Sequence, residues 1–104
     1  MTKCKIFRIK KGKRKIWENW CEEIMSRKEE AMETLREENL IQEKCIIFGT
    51  EDNSYVFYRH ETVPGKEKLP MNLSREMNIK HKKIMEECLE EVEDKITGYD
   101  IEVM

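Results

Sequence analysis

The sequence predicts an α+β domain whose elements run strand, helix, strand, strand, helix, strand. Three observations predict it. A stripe of apolar residues at helical spacing runs between Gly12 and Asn39. Two strand-like segments rich in aromatic and β-branched residues follow, joined by the polar turn Thr50-Glu51-Asp52-Asn53-Ser54. A second helical stripe begins near Asn72 and reaches about Asp94.

Lys3 to Lys10 is the first expected strand. Cys4, Ile6 and Arg8 point one way, and Lys5, Phe7 and Ile9 the other. Lys11-Gly12-Lys13 turns into the helix. At about 100° per residue, Trp17, Trp20, Cys21, Ile24, Ala31, Met32 and Leu35 share one face. Glu18, Glu22, Glu29, Glu33 and Glu37 lie on the solvated side. No proline interrupts the run, so one long helix is expected, closed by Asn39 in a left-handed cap.

Leu40 to Gly49 is the second strand. Its centre, Cys45-Ile46-Ile47-Phe48, is apolar on both faces, as in a strand covered on both sides. Tyr55 to His60 is the third, and the short turn makes the two a hairpin. Tyr55, Phe57 and Arg59 face one way there, and Val56, Tyr58 and His60 the other. Pro64-Gly65 and Pro70 mark a loop. Asn72 or Ser74 caps the second helix, whose stripe is Leu73, Met77, His81, Ile84, Cys88 and Val92. Lys95 to Met104 is the last expected strand, with Gly98 at a bulge.

This order is the ferredoxin-like βαββαβ plan, a single domain over residues 1–104. Right-handed crossovers place both helices on one face of a four-stranded antiparallel sheet. Isoleucine, phenylalanine and tyrosine on the other face have nothing in the chain to cover them. A two-fold homodimer packed sheet on sheet would cover them.

Charged residues make up 40% of the chain and hydrophobic ones 38%, which suits a thin two-layer domain. The formal net charge is only −2, so no global electrostatic role follows. Lys3, Lys5, Arg8, Lys10, Lys11, Lys13, Arg14 and Lys15 form a basic run that could contact nucleic acid. It carries no interleaved aromatics and no recognised motif, so nucleic acid is an unlikely partner. Cys4, Cys21, Cys45 and Cys88 form no C-x-x-C pair and sit in apolar patterns, as expected of reduced, mostly buried thiols. There is no leader and no membrane-length apolar run, so a cytoplasmic protein is expected. With only His60 and His81 beside those cysteines, no metal site is implied. Scattered glycines make no phosphate-cradling loop, and no cofactor is expected.

His81 stands out because it occupies a stripe position where a leucine is ordinary. It is either a core histidine held by a neighbour or an imidazole at a pocket wall, able to act as acid, base or ligand contact. Arg27 and Lys28 interrupt the first stripe. Either their stems cover apolar surface while the charges reach water, or they aim into a cavity between helix and sheet. Arg8 and Tyr58 could reach such a cavity from the strands. Trp17 and Trp20 would wall it, unless they are plain core. An imidazole, a guanidinium, a phenol and indole walls suit a small polar or anionic metabolite.

The stretch Ser26-Arg27-Lys28-Glu29-Glu30-Ala31-Met32-Glu33-Thr34-Leu35-Arg36-Glu37-Glu38 resembles a small uncharacterised bacterial and archaeal family that carries a domain-of-unknown-function label. Phe7-Arg8-Ile9-Lys10, Gly12-Lys13, Trp17, Trp20, the strand Tyr55-Val56-Phe57-Tyr58 and His81 share in the resemblance, which covers nearly the whole chain. Such proteins tend to carry an Ile-Asp pair shortly before the histidine. Here the positions are Met77 and Asn78, which weakens an acid–base role for His81. The wider group this resembles is the dimeric α/β-barrel proteins, which include sugar mutarotases and small monooxygenases. The expected function is therefore small-molecule binding. The alternatives are an isomerase, mutarotase-like or cofactor-free oxygenase-like activity, or a binding dimer that uses the basic run.

Overall fold

The computed structural model describes residues 1–103. The chain runs β1 (Thr2–Ile9), α1 (Arg14–Ser26), α2 (Lys28–Glu37), β2 (Leu40–Thr50), β3 (Asn53–Thr62), α3 (Glu76–Cys88) and β4 (Leu89–Glu91). The four strands form one sheet in the order β2-β3-β1-β4, and every neighbouring pair is antiparallel. The α+β class and the four-stranded antiparallel sheet are as the sequence predicts.

Strand register decides where the core can sit. Phe7 and Ile47 both pair with Val56, and Lys5 and Cys45 both pair with Tyr58. Side chains alternate along each strand, so these residues share the face that the helices cover. One end of that face is apolar: Ile9, Phe7, Val56 and Ile47. Trp17 and Trp20 of α1, Met77 and Cys88 of α3, and Leu89 close over it to form the core. Trp17 and Val56 are 1% and 0% exposed, and each contributes on the order of 1.5–3 kcal/mol by burial. The other end of the same face is polar: Lys5, Tyr58, His60 and Glu43. Helices pack tightly over the first end and stand off from the second.

The opposite sheet face carries Ile46 and Phe48, which are 42% and 44% exposed. Phe48 stacks on Tyr55 at 5.6 Å between ring centroids, and the Arg8 guanidinium lies 5.7 Å over the Tyr55 ring. The second strand is therefore covered on one side rather than two.

Further expectations need correction. The single helix from Gly12 to Asn39 is two helices, broken at Arg27, where φ is −114° and ψ is 38°. No proline or glycine causes the break. The Arg27 N–H is shared between the carbonyls of Glu23 and Ile24, each at 3.0 Å. Its guanidinium bridges Glu23 of α1 at 2.8 Å, Glu30 of α2 at 3.0 Å and Glu76 of α3 at 2.7 Å. The apolar period continues in phase across the bend, which is why spacing alone reads as one helix. Asn39 does adopt the left-handed conformation expected of it, with φ 61°.

The second long helix ends at Cys88 rather than near Asp94. The chain becomes extended at Leu89 and pairs at once with β1, Phe7 opposite Glu91 and Ile9 opposite Leu89. Leu89 and Val92 are buried by this pairing, and both also fit a helical stripe, so periodicity could not separate the two outcomes. Asn72 accepts hydrogen bonds from the Ser74 N–H and hydroxyl, a turn that precedes the helix rather than capping it. Leu73, expected in the stripe, is half exposed in that turn.

The last strand is Leu89–Glu91, not Lys95 to Met104. Residues 95–103 carry no regular structure, and Ile96, Tyr99, Ile101 and Val103 are exposed. Met104 lies outside the described residues.

The basic run does not form one patch. Strand alternation and the bend into α1 disperse it. Lys10 reaches the Glu86 carbonyl, Lys13 pairs with Glu87 and Arg8 with Glu90, while Arg14 bonds Glu18 and Ser54. Several of its cations therefore face acidic residues at the end of α3 and in β4.

Candidate functional site

Where the helices stand off from the polar end of the sheet, they leave a cavity of about 500 Å³. Its floor is Lys5, Tyr58, His60, Glu43 and Cys45. Its roof comes from the second half of α1, from α2 and from α3. Met25, Met32, Met71, Met77 and Met85 make much of the wall. Unbranched thioethers repack readily around ligands of varied shape. The volume lies within the range of small-molecule sites.

A line of hydrogen bonds crosses this cavity. The Trp20 indole Nε1–H donates to His81 Nδ1 at 2.8 Å. His81 Nε2 lies 3.2 Å from the Tyr58 hydroxyl, and that hydroxyl donates to the Glu43 carboxylate. An indole N–H can only donate, so His81 Nδ1 must carry a lone pair. The ring is then the neutral Nε2–H tautomer and donates to the Tyr58 oxygen. Direction is thus set along the whole line, from Trp20 through His81 and Tyr58 to Glu43.

Electrostatics support the same assignment. Burial lowers the His81 pKa to about 4, against a small opposing pull from the Glu38 carboxylate. Burial, together with the Glu43 charge and its hydrogen bond, holds the Tyr58 phenol well above its ordinary value. Both groups are therefore neutral donors at neutral pH.

Around them, Glu38 is buried and pairs with Lys68 at 3.0 Å. Burial raises its pKa and Lys68 opposes the rise. His60 is lowered by partial burial and by Lys68, Lys3 and Lys5, against the pull of Glu43. Cys21 and Cys45 face each other in the wall. Interaction with Cys45, then burial, keeps the Cys21 thiol protonated, while Cys45 is drawn down by Cys21.

The cavity brings together four of the residues singled out from the sequence: His81, Tyr58, Trp20 and Lys28. Three others lie elsewhere. Arg27 is held by its three carboxylates at the helix bend. Arg8 is on the opposite sheet face, because Arg8 and Lys5 differ by an odd number of residues along β1. Trp17 is plain core, and its buried indole N–H has no hydrogen-bond partner among the described residues. Asn78, at the position where an aspartate was expected to orient the histidine, donates to the Asn72 carbonyl instead. Trp20 orients His81.

Sequence reasoning missed Glu43, Glu38, Lys5, Lys68 and His60. For Glu43 a signal existed. It stands two and four residues before Cys45 and Ile47 on one strand, so it shares their inward face. Glu38 and Lys68 come from the turn after α2 and from the loop before α3, and no local pattern links them.

Among the described residues, no group of three or more His, Cys, Asp or Glu is placed to hold a metal ion. Among the described residues, no helix is long and apolar enough to cross a membrane.

The fold and this cavity define an α+β protein with a lined pocket between its helices and its sheet. Over residues 1–104 the chain matches a family described as a family of unknown function (DUF6176), and it belongs to that family. This bears out the resemblance to an uncharacterised domain. No curated protein and no solved structure matches the chain.

Proposed function

We propose that the protein binds a small molecule with an apolar body and one anionic group in the cavity between helices and sheet. The observation that carries this reading is the cavity itself: about 500 Å³, methionine-walled, with a polar floor at one end. The apolar walls favour a flat hydrocarbon body such as an aromatic ring. Lys5 and Lys28 line the site and form no ion pair among the described residues, so they are free to meet a carboxylate or phosphate. Lys68 is already paired with Glu38.

The domain is best read as a ferredoxin-like unit that forms a cytoplasmic homodimer. The strand order supports the first part, and the uncovered Ile46 and Phe48 face supports the second.

A thermal-shift screen of aromatic carboxylates against their neutral amides tests the ligand reading. Binding to the native state raises the midpoint by mass action, by about 2.7 kcal/mol of stability at 100 times Kd. The carboxylates should stabilise the wild type, and an Ala31→Phe variant that fills the cavity should lose the effect. Equal stabilisation of both proteins would move the binding elsewhere.

A further inference from the structure

Three groups meet across the cavity, Tyr58 and Glu43 from its floor and His81 from its roof, and their roles differ. Tyr58 and His81 are neutral donors. Glu43 brings a carboxylate, the one member of the line that accepts a hydrogen bond and donates none. In the unliganded arrangement the Tyr58 hydroxyl occupies that lone pair. A ligand oxygen placed beside Tyr58 would take over its hydrogen bond and leave Glu43 free.

We infer that Glu43 and Tyr58 make this cavity a proton-transfer site for small carbonyl compounds with a hydrogen on the carbon next to the carbonyl. The inference rests on the ligand-site reading above and names its substrate class: an apolar-bodied ketone with a carboxylate, such as an aryl 2-oxo acid. The Glu43 carboxylate takes the proton from carbon. The C–H electron pair becomes the carbon–carbon double bond, and the carbonyl π pair moves to oxygen. Tyr58 donates its hydrogen bond to that oxygen, where charge develops. Glu43 exchanges that proton with solvent water and returns one to carbon, so no oxidant, metal or further reactant is needed. His81 does not touch the substrate. It is a positioning residue: its Nε2–H donates to the Tyr58 oxygen, and a hydroxyl that accepts one hydrogen bond donates a stronger one. Trp20 holds His81 in the tautomer that can do so.

Phenylpyruvate is a suitable probe, with a ring for the methionine walls, a carboxylate for the lysines and an acidic methylene between ring and ketone. In heavy water, loss of its methylene proton signal reports the transfer. Benzoylformate, which has no hydrogen next to its ketone, reports binding alone.

The wild type should bind both and speed exchange above buffer. Glu43→Gln should keep benzoylformate binding and lose roughly 100-fold or more of the exchange. Tyr58→Phe should lose about 100-fold, as for an oxyanion donor. His81→Leu should lower kcat with KM held. Added to Tyr58→Phe it should cost nothing more, because its effect passes through Tyr58. Circular dichroism confirms that each variant is folded, and Tyr58→Phe decides the matter should Glu43→Gln not fold. Binding of benzoylformate with no exchange above buffer overturns the proton-transfer inference and leaves the ligand site standing. So does exchange that survives both Glu43→Gln and Tyr58→Phe. Failure to bind either compound overturns both readings for this class.

Discussion

Acid should destabilise this protein, with His81 as the buried group that contributes most. Its pKa is about 4 in the folded chain against 6.5 as the ordinary value. Between those two values the unfolded chain binds a proton that the folded chain refuses. Stability from this group is therefore fully present above about pH 6.5 and is lost as pH falls toward 4. The whole shift corresponds to roughly 3 kcal/mol, of which about 2 kcal/mol is lost by about pH 5. The structural cause is that His81 is largely buried and that its Nδ1 already accepts the Trp20 N–H. Protonating Nδ1 would set two donors against each other.

Urea midpoints of the wild type at about pH 7.5 and pH 5, compared with those of His81→Gln, isolate the effect. Glutamine keeps an acceptor for the Trp20 indole and does not titrate, so the variant should lose about 2 kcal/mol less on acidification. Nitrogen-15 spectra of the ring should show Nδ1 unprotonated down to about pH 5. A His81 that titrates near 6.5, or a variant as acid-sensitive as the wild type, would refute the reasoning.

Other perturbations should act locally. Gly49 has φ +94°, and a Cβ there would meet the Asn53 carbonyl oxygen at 2.2 Å, so Gly49→Ala should cost upwards of about 1 kcal/mol in urea unfolding by straining the β2–β3 hairpin. Arg27→Ala removes three partly solvated ion pairs and should cost only about 1 kcal/mol, while benzoylformate affinity, measured calorimetrically, stays unchanged because Arg27 lies outside the cavity. The proposed homodimer predicts that Phe48→Lys on the uncovered sheet face shifts the mass seen by light scattering from dimer to monomer.

The strands β1 to β3 were legible in the sequence because short runs rich in aromatic and β-branched residues are bounded by the turns at Gly12, Thr50 to Ser54 and Pro64-Gly65. The helix break was not, because the contact that ties Arg27 to α3 is with Glu76, a residue 49 positions away. The end of α3 was not, because Leu89 and Val92 satisfy both a helical stripe and a strand edge. His81 was legible as an oddity in an apolar stripe. Its role depends on Trp20 and Tyr58, whose meeting is set by the register of β3 and by the packing of α1 on α3. Arg8 misled because its side of β1 is decided by which face the helices cover. Long-range charge pairs such as Glu38–Lys68 leave no trace in local spacing.

The cavity is the proposed functional site. The most direct test is a nitrogen-15 correlation spectrum of the wild type titrated with benzoylformate. The Trp20 indole N–H, which reports the hydrogen bond to His81, should move and saturate together with the amides of Glu43, Tyr58 and His81. The amides of Phe48 and Tyr55 on the uncovered face should stay still. Shifts confined to the basic residues Lys10 to Lys15 or to that uncovered face, with the Trp20 indole unmoved, would contradict it.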